Sequence, residues 1–125
     1  MKQKIETDDA PKPPILSQAI VSNGLIFVSG QVHNNPDGTL VEGTTEEKLA
    51  LIMKNIEAIL KAAGAGLDDI VKVTIFLTDM SILPDLNKVY PSYFSDPLPT
   101  REAIGVAALP LGASIEVCVI ATKNV

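Results

Sequence analysis

The chain has 125 residues, the usual size of one domain, so a second independent core is not expected. Its side chains are 46% apolar and 20% charged, a balance that favours a compact globule over a disordered chain. The formal charge of -5 argues against a nucleic-acid partner. The single cysteine, Cys118, excludes an internal disulfide, and the lack of an apolar run of roughly 18 residues argues against a membrane span.

The N-terminal segment, residues 1–14, is polar and ends in Pro-Lys-Pro-Pro, which favours extended backbone and predicts an arm that leads into the fold. Its first ten residues have neither the hydrophobic centre of a secretory signal nor the Arg-rich, acid-poor composition of a mitochondrial presequence. We therefore expect a cytoplasmic protein, with a mitochondrial location left open.

A hairpin and a long helix are predicted next. Apolar runs on either side of Asn23-Gly24, a dipeptide typical of tight hairpin turns, predict strands at about 17–22 and 25–32. Thr44-x-x-Glu47 then has the form of a capping box, and apolar residues recur at three- and four-residue spacing after it. This pattern predicts a helix over residues 45–63.

A third strand and a second helix follow. Residues 70–78 alternate so that one face of the strand is wholly apolar. Ser81 is placed to cap a helix that accepts Pro84 in its first turn. Pro91 should kink or end this helix, because proline lacks an amide donor and its ring crowds the preceding turn.

Residues 101–107 and 114–122 are predicted to form a final strand pair around the turn at 109–112. The resulting order, ββαβαββ, predicts an α+β fold with a mixed sheet and two helices on one face. The opposite face of such a sheet would still carry apolar side chains, and a domain of this size often covers that face by self-association.

Two ionisable residues lie in apolar surroundings. Arg101 begins a strand, and its guanidinium offers two parallel donors that match a carboxylate; alternatively, it reaches solvent or a neighbouring acid. Glu116 lies within an apolar strand, where its carboxyl group is either paired or has a raised pKa, and either state suits the positioning and deprotonation of water. Its alternative is an edge-strand position facing solvent.

Other polar residues are weaker candidates. Ser29-Gly30-Gln31 ends a strand where glycine permits close approach and the serine hydroxyl can bind a ligand, but the same sequence is typical of a bulge. Asn87 and Tyr90 share a helical face, a spacing that is ambiguous and that favours interior polar contacts over a ligand site. We expect His33 to be a surface residue and Cys118 to be a small buried hydrophobe, and the chain carries no motif for a metal site.

Seven short motifs occur in a fixed order along nearly the whole chain. They are SQAI, FVSGQV, KAAGAGLDDIVKVTIFLTD, NKVYPSYF, PTR, VAALPLG and IEVCVIA. Together they resemble the RidA (YjgF) family. The resemblance implies a chorismate-mutase-like fold, a single RidA-like domain over residues 15–125, and a homotrimer whose clefts lie between subunits.

The resemblance also implies an activity and its residues. Members of the family are deaminases that hydrolyse reactive 2-imino or enamine acids, such as 2-iminobutanoate and 2-iminopropanoate, to 2-keto acids and ammonia without a metal or organic cofactor. The family arginine that binds the substrate carboxylate falls on Arg101, and the glutamate that handles water falls on Glu116. Ser29 and Asn87 fall in the pocket, and the backbone at Gly30 and Ala103 contacts the bound acid.

The chain departs from the family pattern at two positions. Leu16 stands where a pocket tyrosine is typical, and Ala103 stands where cysteine is common. Loss of the phenol would weaken activity or retune it toward larger apolar imines. Leu16 also favours the alternative of a non-catalytic, regulatory trimer that binds 2-keto acids. The acidic charge and the single histidine argue against a ribonuclease or translation inhibitor, and the one pocket cation, Arg101, argues against a chorismate mutase.

Overall fold

The computed structural model describes residues 1–123, which form one six-stranded sheet and two α-helices. The elements in chain order are β1 (Gln3–Ile5), β2 (Ala19–Ser22), β3 (Leu25–Val32), α1 (Thr45–Ala62), β4 (Ile70–Leu77), α2 (Leu83–Val89), β5 (Thr100–Gly105) and β6 (Ile115–Thr122). The strand order is β1-β2-β3-β6-β4-β5, so the predicted α+β fold with a mixed sheet is confirmed.

The first hairpin and α1 form where turn and capping signals predict them. Asn23 and Gly24 join β2 to β3 with φ values of 51° and 76°, as a tight two-residue hairpin turn requires. At the start of α1, the Thr44 hydroxyl accepts from the Glu47 N–H at 3.1 Å, and the Glu47 carboxylate accepts from the Thr44 N–H at 2.8 Å. This reciprocal pair satisfies two amides that the helix itself leaves unbonded.

The hydrophobic core lies between one face of the sheet and both helices. Four alternate residues of β6, from Ile115 to Ala121, are buried in the same cluster as the apolar stripe of α1 and Leu86 of α2. The residues between them, among them Glu116 and Cys118, point to the opposite face and are half-buried. The helices therefore cover one face, as predicted, and leave the other open.

The start of α2 differs from the prediction. Asp79, not Ser81, is the capping residue, because its carboxylate accepts from the Ser81 N–H at 2.9 Å and opens a short 3-10 turn before the helix. At the other end, α2 stops at Val89 and the chain continues as a 3-10 turn over Tyr90–Tyr93. The prediction that Pro91 ends the helix is confirmed.

The prediction that the last two strands pair with each other is wrong. β5 pairs in parallel with β4, and β6 lies between β3 and β4, antiparallel to both. One face of β6 carries only apolar side chains, which suits a central strand beneath α1. β5 has few large apolar side chains and remains largely exposed at the edge of the sheet. The strand order therefore follows from which strands are buried, and not from which strands are neighbours in the sequence.

Residues 1–14, expected to form an arm, pack onto the sheet. β1 pairs antiparallel with β2, and the side chains of Ile5 and Ala10 are buried. The buried Gln18 amide donates to the carbonyl groups of Ala10 and Pro11, at 3.3 and 2.8 Å. Gln18 thus holds the chain segment that precedes β2 in place.

The open face of the sheet carries exposed apolar side chains among polar ones, including the ion pair of Lys72 with Glu102 at 3.5 Å. Phe27 and Ile104 are each 43% exposed on this face, and Ile120 is half-buried beside Phe27. Large apolar side chains exposed on an uncovered sheet face are compatible with an interface to another protein chain.

Candidate active site

Glu116 lies in a cleft on the open face of the sheet, which we call the Glu116 cleft. Its volume is about 360 Å³, and its walls include the segment from Pro11 to Leu16, Gly30 of β3, and Leu111 in the loop before β6. Leu111 has a φ of 62°, a left-handed conformation that bulky residues rarely adopt, and its side chain is 60% exposed. The cleft therefore combines one carboxyl group with a mainly apolar wall.

Gly30 lies directly against the Glu116 carboxyl group. A Cβ atom at position 30 would come within 2.5 Å of Glu116 Oε2, so any larger residue would displace the carboxyl group. Burial raises the pKa of Glu116 above that of an ordinary glutamate, in the direction that the sequence predicted. A carboxylate with a raised pKa is a stronger proton acceptor at neutral pH.

Ser29 lies beside the cleft and ties its wall to β3. The Ser29 hydroxyl donates to the Ser17 carbonyl oxygen at 2.7 Å, and the Ser29 N–H donates to the Gln18 carbonyl oxygen at 2.9 Å. These bonds fix the two residues that follow Leu16. Ser29 therefore positions the wall that carries Leu16.

Arg101 belongs to a second group of residues at β5 and α2. Its Nη1 donates to Asn87 Oδ1 at 2.7 Å, and its Cζ lies 4.9 Å from the centroid of the Tyr90 ring. Ala103, two residues further along β5, faces the same side of the strand. We call Asn87, Tyr90, Arg101 and Ala103 the Arg101 cluster. Arg101 is exposed, and within residues 1–123 only one of its five N–H donors is bonded, to Asn87.

The Arg101 cluster and the Glu116 cleft lie on opposite faces of the sheet. Arg101 is in register with Val73, which is buried beneath the helices, whereas Glu116 is in register with Phe76 on the open face. In addition, β4 separates the two strands that carry Arg101 and Glu116. One chain therefore cannot present both groups to the same small ligand.

His33 is fully buried, so the expectation of a surface residue is wrong. Its Nδ1 lies 2.7 Å from the Val41 carbonyl oxygen, and its Nε2 accepts from the Ser114 N–H at 3.0 Å. The neutral tautomer with the proton on Nδ1 satisfies both contacts, which tie the loop after β3 to the start of β6. Cys118 is half-buried, and burial followed by the nearby Glu116 charge raises the pKa of its thiol, which disfavours the thiolate form.

Leu111 is a site residue that the sequence did not predict, and Tyr90 was only a weak candidate. The Asn-x-x-Tyr spacing places Tyr90 on the same helical face as Asn87, but only the position of β5 shows that both contact Arg101. The Leu-Pro-Leu-Gly sequence indicates a turn, but it does not show that Leu111 and Leu16 line the same cleft.

Comparison with known proteins places this geometry in a family. A family model described as Endoribonuclease L-PSP matches residues 8–123. Arabidopsis thaliana Reactive Intermediate Deaminase A, chloroplastic, is 41% identical over 123 residues, which cover 97% of this chain and 66% of that protein. The chain belongs to the RidA family. A RutC family protein from Aquifex aeolicus is 44% identical over 97% of this chain and 99% of its own length.

Other RidA-family members agree in sequence and fold. The rat 2-iminobutanoate/2-iminopropanoate deaminase is 39% identical over 126 residues, which cover 99% of this chain and 92% of that protein. The crystal structure of yeast Mmf1 superposes with a TM-score of 0.95 at 37% identity over 99% of this chain and 100% of that one. Escherichia coli TdcF with bound serine gives 0.89 at 30% identity over 98% and 99%. The chorismate-mutase-like RidA fold is therefore confirmed.

The cellular location stays a prediction. Within residues 1–123, no helix is long and apolar enough to cross a bilayer. The names of two RidA-family relatives place them in organelles, the mitochondrion for yeast MMF1 and the chloroplast for the Arabidopsis protein.

Proposed function

We propose that this chain is a hydrolytic deaminase that converts 2-imino or enamine acids, such as 2-iminobutanoate and 2-iminopropanoate, to 2-keto acids and ammonia. The names of the rat and Arabidopsis relatives support this activity. The observation that carries the proposal is one complementary pair of groups. Arg101 has donors that are not bonded within residues 1–123, Glu116 has a carboxyl group of raised pKa, and the two lie on surfaces that subunit association would bring together.

A homotrimer would complete the site. In a closed ring of three copies, the Arg101 cluster of each subunit faces the Glu116 cleft of the next, so the ring contains three equivalent sites. The exposed apolar side chains of Phe27 and Ile104 on the open face supply surface for this association.

Arg101 binds the substrate carboxylate in this mechanism. Its planar guanidinium donates two parallel hydrogen bonds to a carboxylate, and the bond to Asn87 holds it in one orientation. The serine bound to TdcF also carries an α-carboxylate, which fits a ligand class of α-substituted acids. Fixing the carboxylate positions the imine carbon for attack.

Glu116 accepts the proton of the attacking water. The water oxygen bonds to the imine carbon while the Glu116 carboxylate takes the proton, and that proton then passes to the substrate nitrogen. The C–N bond breaks, ammonia leaves, and the new hydroxyl group loses its proton to become the keto oxygen. One water is consumed for each ammonia released. A protonated imine is already electrophilic, so no step of this mechanism uses a metal or an organic cofactor.

Release of ammonia from freshly generated imines tests the proposal. An amino-acid oxidase supplies 2-iminobutanoate, and the protein should accelerate the appearance of ammonia and 2-ketobutyrate over the uncatalysed reaction. Binding of 2-ketobutyrate is measured in parallel by calorimetry. Binding without acceleration would contradict the enzyme and support the alternative, a regulatory trimer that binds 2-keto acids, which the mainly apolar wall at Leu16 and Leu111 favours.

A ribonuclease function has little support from the structure, although the family description names one. His33 is the only histidine in the sequence, and its two ring nitrogens contact Val41 and Ser114 inside the protein. It is therefore not available to move a proton for RNA cleavage.

Leu16→Tyr should shift the substrate preference toward small imines. Leu16 lines the Glu116 cleft, so a phenol there adds a polar donor and fills apolar space. We expect the ratio of kcat/KM for 2-iminopropanoate to that for the imine of leucine to rise about fivefold, the worth of one net hydrogen bond. An unchanged ratio would show that Leu16 does not contact the substrate side chain.

A further inference from the structure

The Arg101 side chain rests on an aromatic ring that the proposed mechanism does not use. Arg101 Cζ lies 4.9 Å from the centroid of the Tyr90 ring, within the range of a cation–π contact. Arg101 itself is exposed, whereas Tyr90 is buried. A long, exposed arginine otherwise samples many rotamers, so a fixed ring beneath it limits the positions of the guanidinium.

The Tyr90 ring packs against the core on the side away from Arg101. Pro91 ends α2 at Val89, and Tyr90 opens the 3-10 turn that follows. The Tyr90 ring then packs against Phe94, with ring centroids 4.9 Å apart and the planes at 47°. The guanidinium is therefore held on two sides, by the Tyr90 ring and by the Asn87 amide.

The Tyr90 hydroxyl takes no part in this contact. It is buried, and within residues 1–123 it has no hydrogen-bond partner. A buried hydroxyl without a partner does not stabilise the fold, so the aromatic ring is what the position requires.

We infer that Tyr90 is a positioning residue: its ring, together with the Asn87 amide, holds the Arg101 guanidinium in the orientation that receives the substrate carboxylate. This inference rests on the proposed function for its kinetic consequence, but the arrangement of the three side chains can be measured without any substrate.

Two substitutions separate the ring from the hydroxyl. Tyr90→Phe keeps the ring, so its KM should be much closer to that of the wild type than the KM of a variant without the ring. Tyr90→Leu removes the ring and should raise KM for 2-iminobutanoate by about 3- to 30-fold with kcat little changed, because a misoriented Arg101 weakens binding of substrate and transition state alike. Asn87→Ala, on the exposed face of α2, should also raise KM and tests the same idea without a change in the core.

The matched control is Tyr93→Leu, which removes a ring from the same 3-10 turn. Tyr93 packs against the core and lies outside the Arg101 cluster, so its loss should lower thermal stability but leave KM unchanged. A rise in KM equal to that of Tyr90→Leu would show that any damage to this turn has the same effect, and would overturn the inference.

The substrate-free readout is the NMR signal of the arginine Nε–Hε group. Arg101 is the only arginine in the sequence, so this signal is unambiguous. Ring current from Tyr90 should shift it in the wild type, Tyr90→Phe and Tyr93→Leu, and the shift should be lost in Tyr90→Leu. An unshifted signal in the wild type would overturn the inference, as would a Tyr90→Phe variant that behaves like Tyr90→Leu. A shifted signal in a wild type without deaminase activity would mean that the proposed function fails while the positioning of Arg101 by Tyr90 holds.

Discussion

Replacing Arg101 with lysine should lower kcat/KM for 2-iminobutanoate by about 10- to 100-fold, although the positive charge is kept. Lysine cannot donate two parallel hydrogen bonds in one plane, and it loses the bond to Asn87 Oδ1 and the contact with the Tyr90 ring. The loss corresponds to about 1.5–3 kcal/mol, the usual worth of hydrogen bonds to a charged group. Steady-state kinetics of ammonia release measures it.

Lys88→Ala is the control for this variant. Lys88 is exposed on α2, next to Asn87, and forms a surface ion pair with Asp85 at 3.8 Å. Removing the Lys88 side chain changes the local charge but leaves the Arg101 guanidinium and its contacts in place, so activity should stay at the wild-type level. If Arg101→Lys keeps wild-type activity, Arg101 acts only through its charge and the carboxylate clamp is wrong.

Glu116→Gln should reduce kcat by about 100-fold or more, because it removes the proton acceptor with little change of shape. The affinity for 2-ketobutyrate should survive, since the product carboxylate binds to Arg101. Single-turnover kinetics and calorimetry measure the two quantities on the same preparation. Wild-type turnover from this variant would refute the role of Glu116 in handling water, and loss of assembly in both the Arg101 and Glu116 variants would indicate structural roles instead.

The same variant tests the pKa of Glu116 through stability. Burial raises the pKa of Glu116 in the folded state, so folding disfavours its charged form. The contribution of Glu116 to the free energy of unfolding is therefore fully present at pH values below the pKa that Glu116 has in the unfolded chain. It is lost as the pH rises through the pKa that Glu116 has in the folded protein. Thermal melts from about pH 4 to pH 8 should show Glu116→Gln with the higher Tm at neutral pH and a difference that closes on acidification.

Local patterns in the sequence predict the elements of this fold well, since their causes are local. The capping box at Thr44 and the apolar stripe after it define α1, and Asn23-Gly24 defines the first turn. The pairing of β5 with β4 was not predictable from neighbouring residues, because it depends on the insertion of β6 between β3 and β4. Long-range pairing of this kind is decided by burial across the whole sheet.

Candidate site residues could be chosen from the sequence, but their grouping could not. Arg101 and Glu116 stand out in the sequence as charged residues within apolar strands. The face of the sheet on which each side chain lies is known only from the register of β4 with β5 and β6. The contacts of Tyr90 and the burial of His33 depend in the same way on residues distant in sequence, at β5 and at Ser114. A sequence pattern indicates chemistry, and tertiary contacts decide which groups meet.

We propose that Arg101 of one subunit and Glu116 of another form one catalytic site, and mixing the two impaired variants tests this proposal most directly. Arg101→Lys and Glu116→Gln chains are co-expressed in equal amounts, and the mixed trimers are assayed for ammonia release. In a ring of three, about one quarter of all sites then combine an intact Arg101 with an intact Glu116, so about one quarter of the wild-type activity should return. Mixing Arg101→Lys with the double variant should restore nothing. Activity that stays at the level of the separate variants in the first mixture would contradict a site shared between subunits.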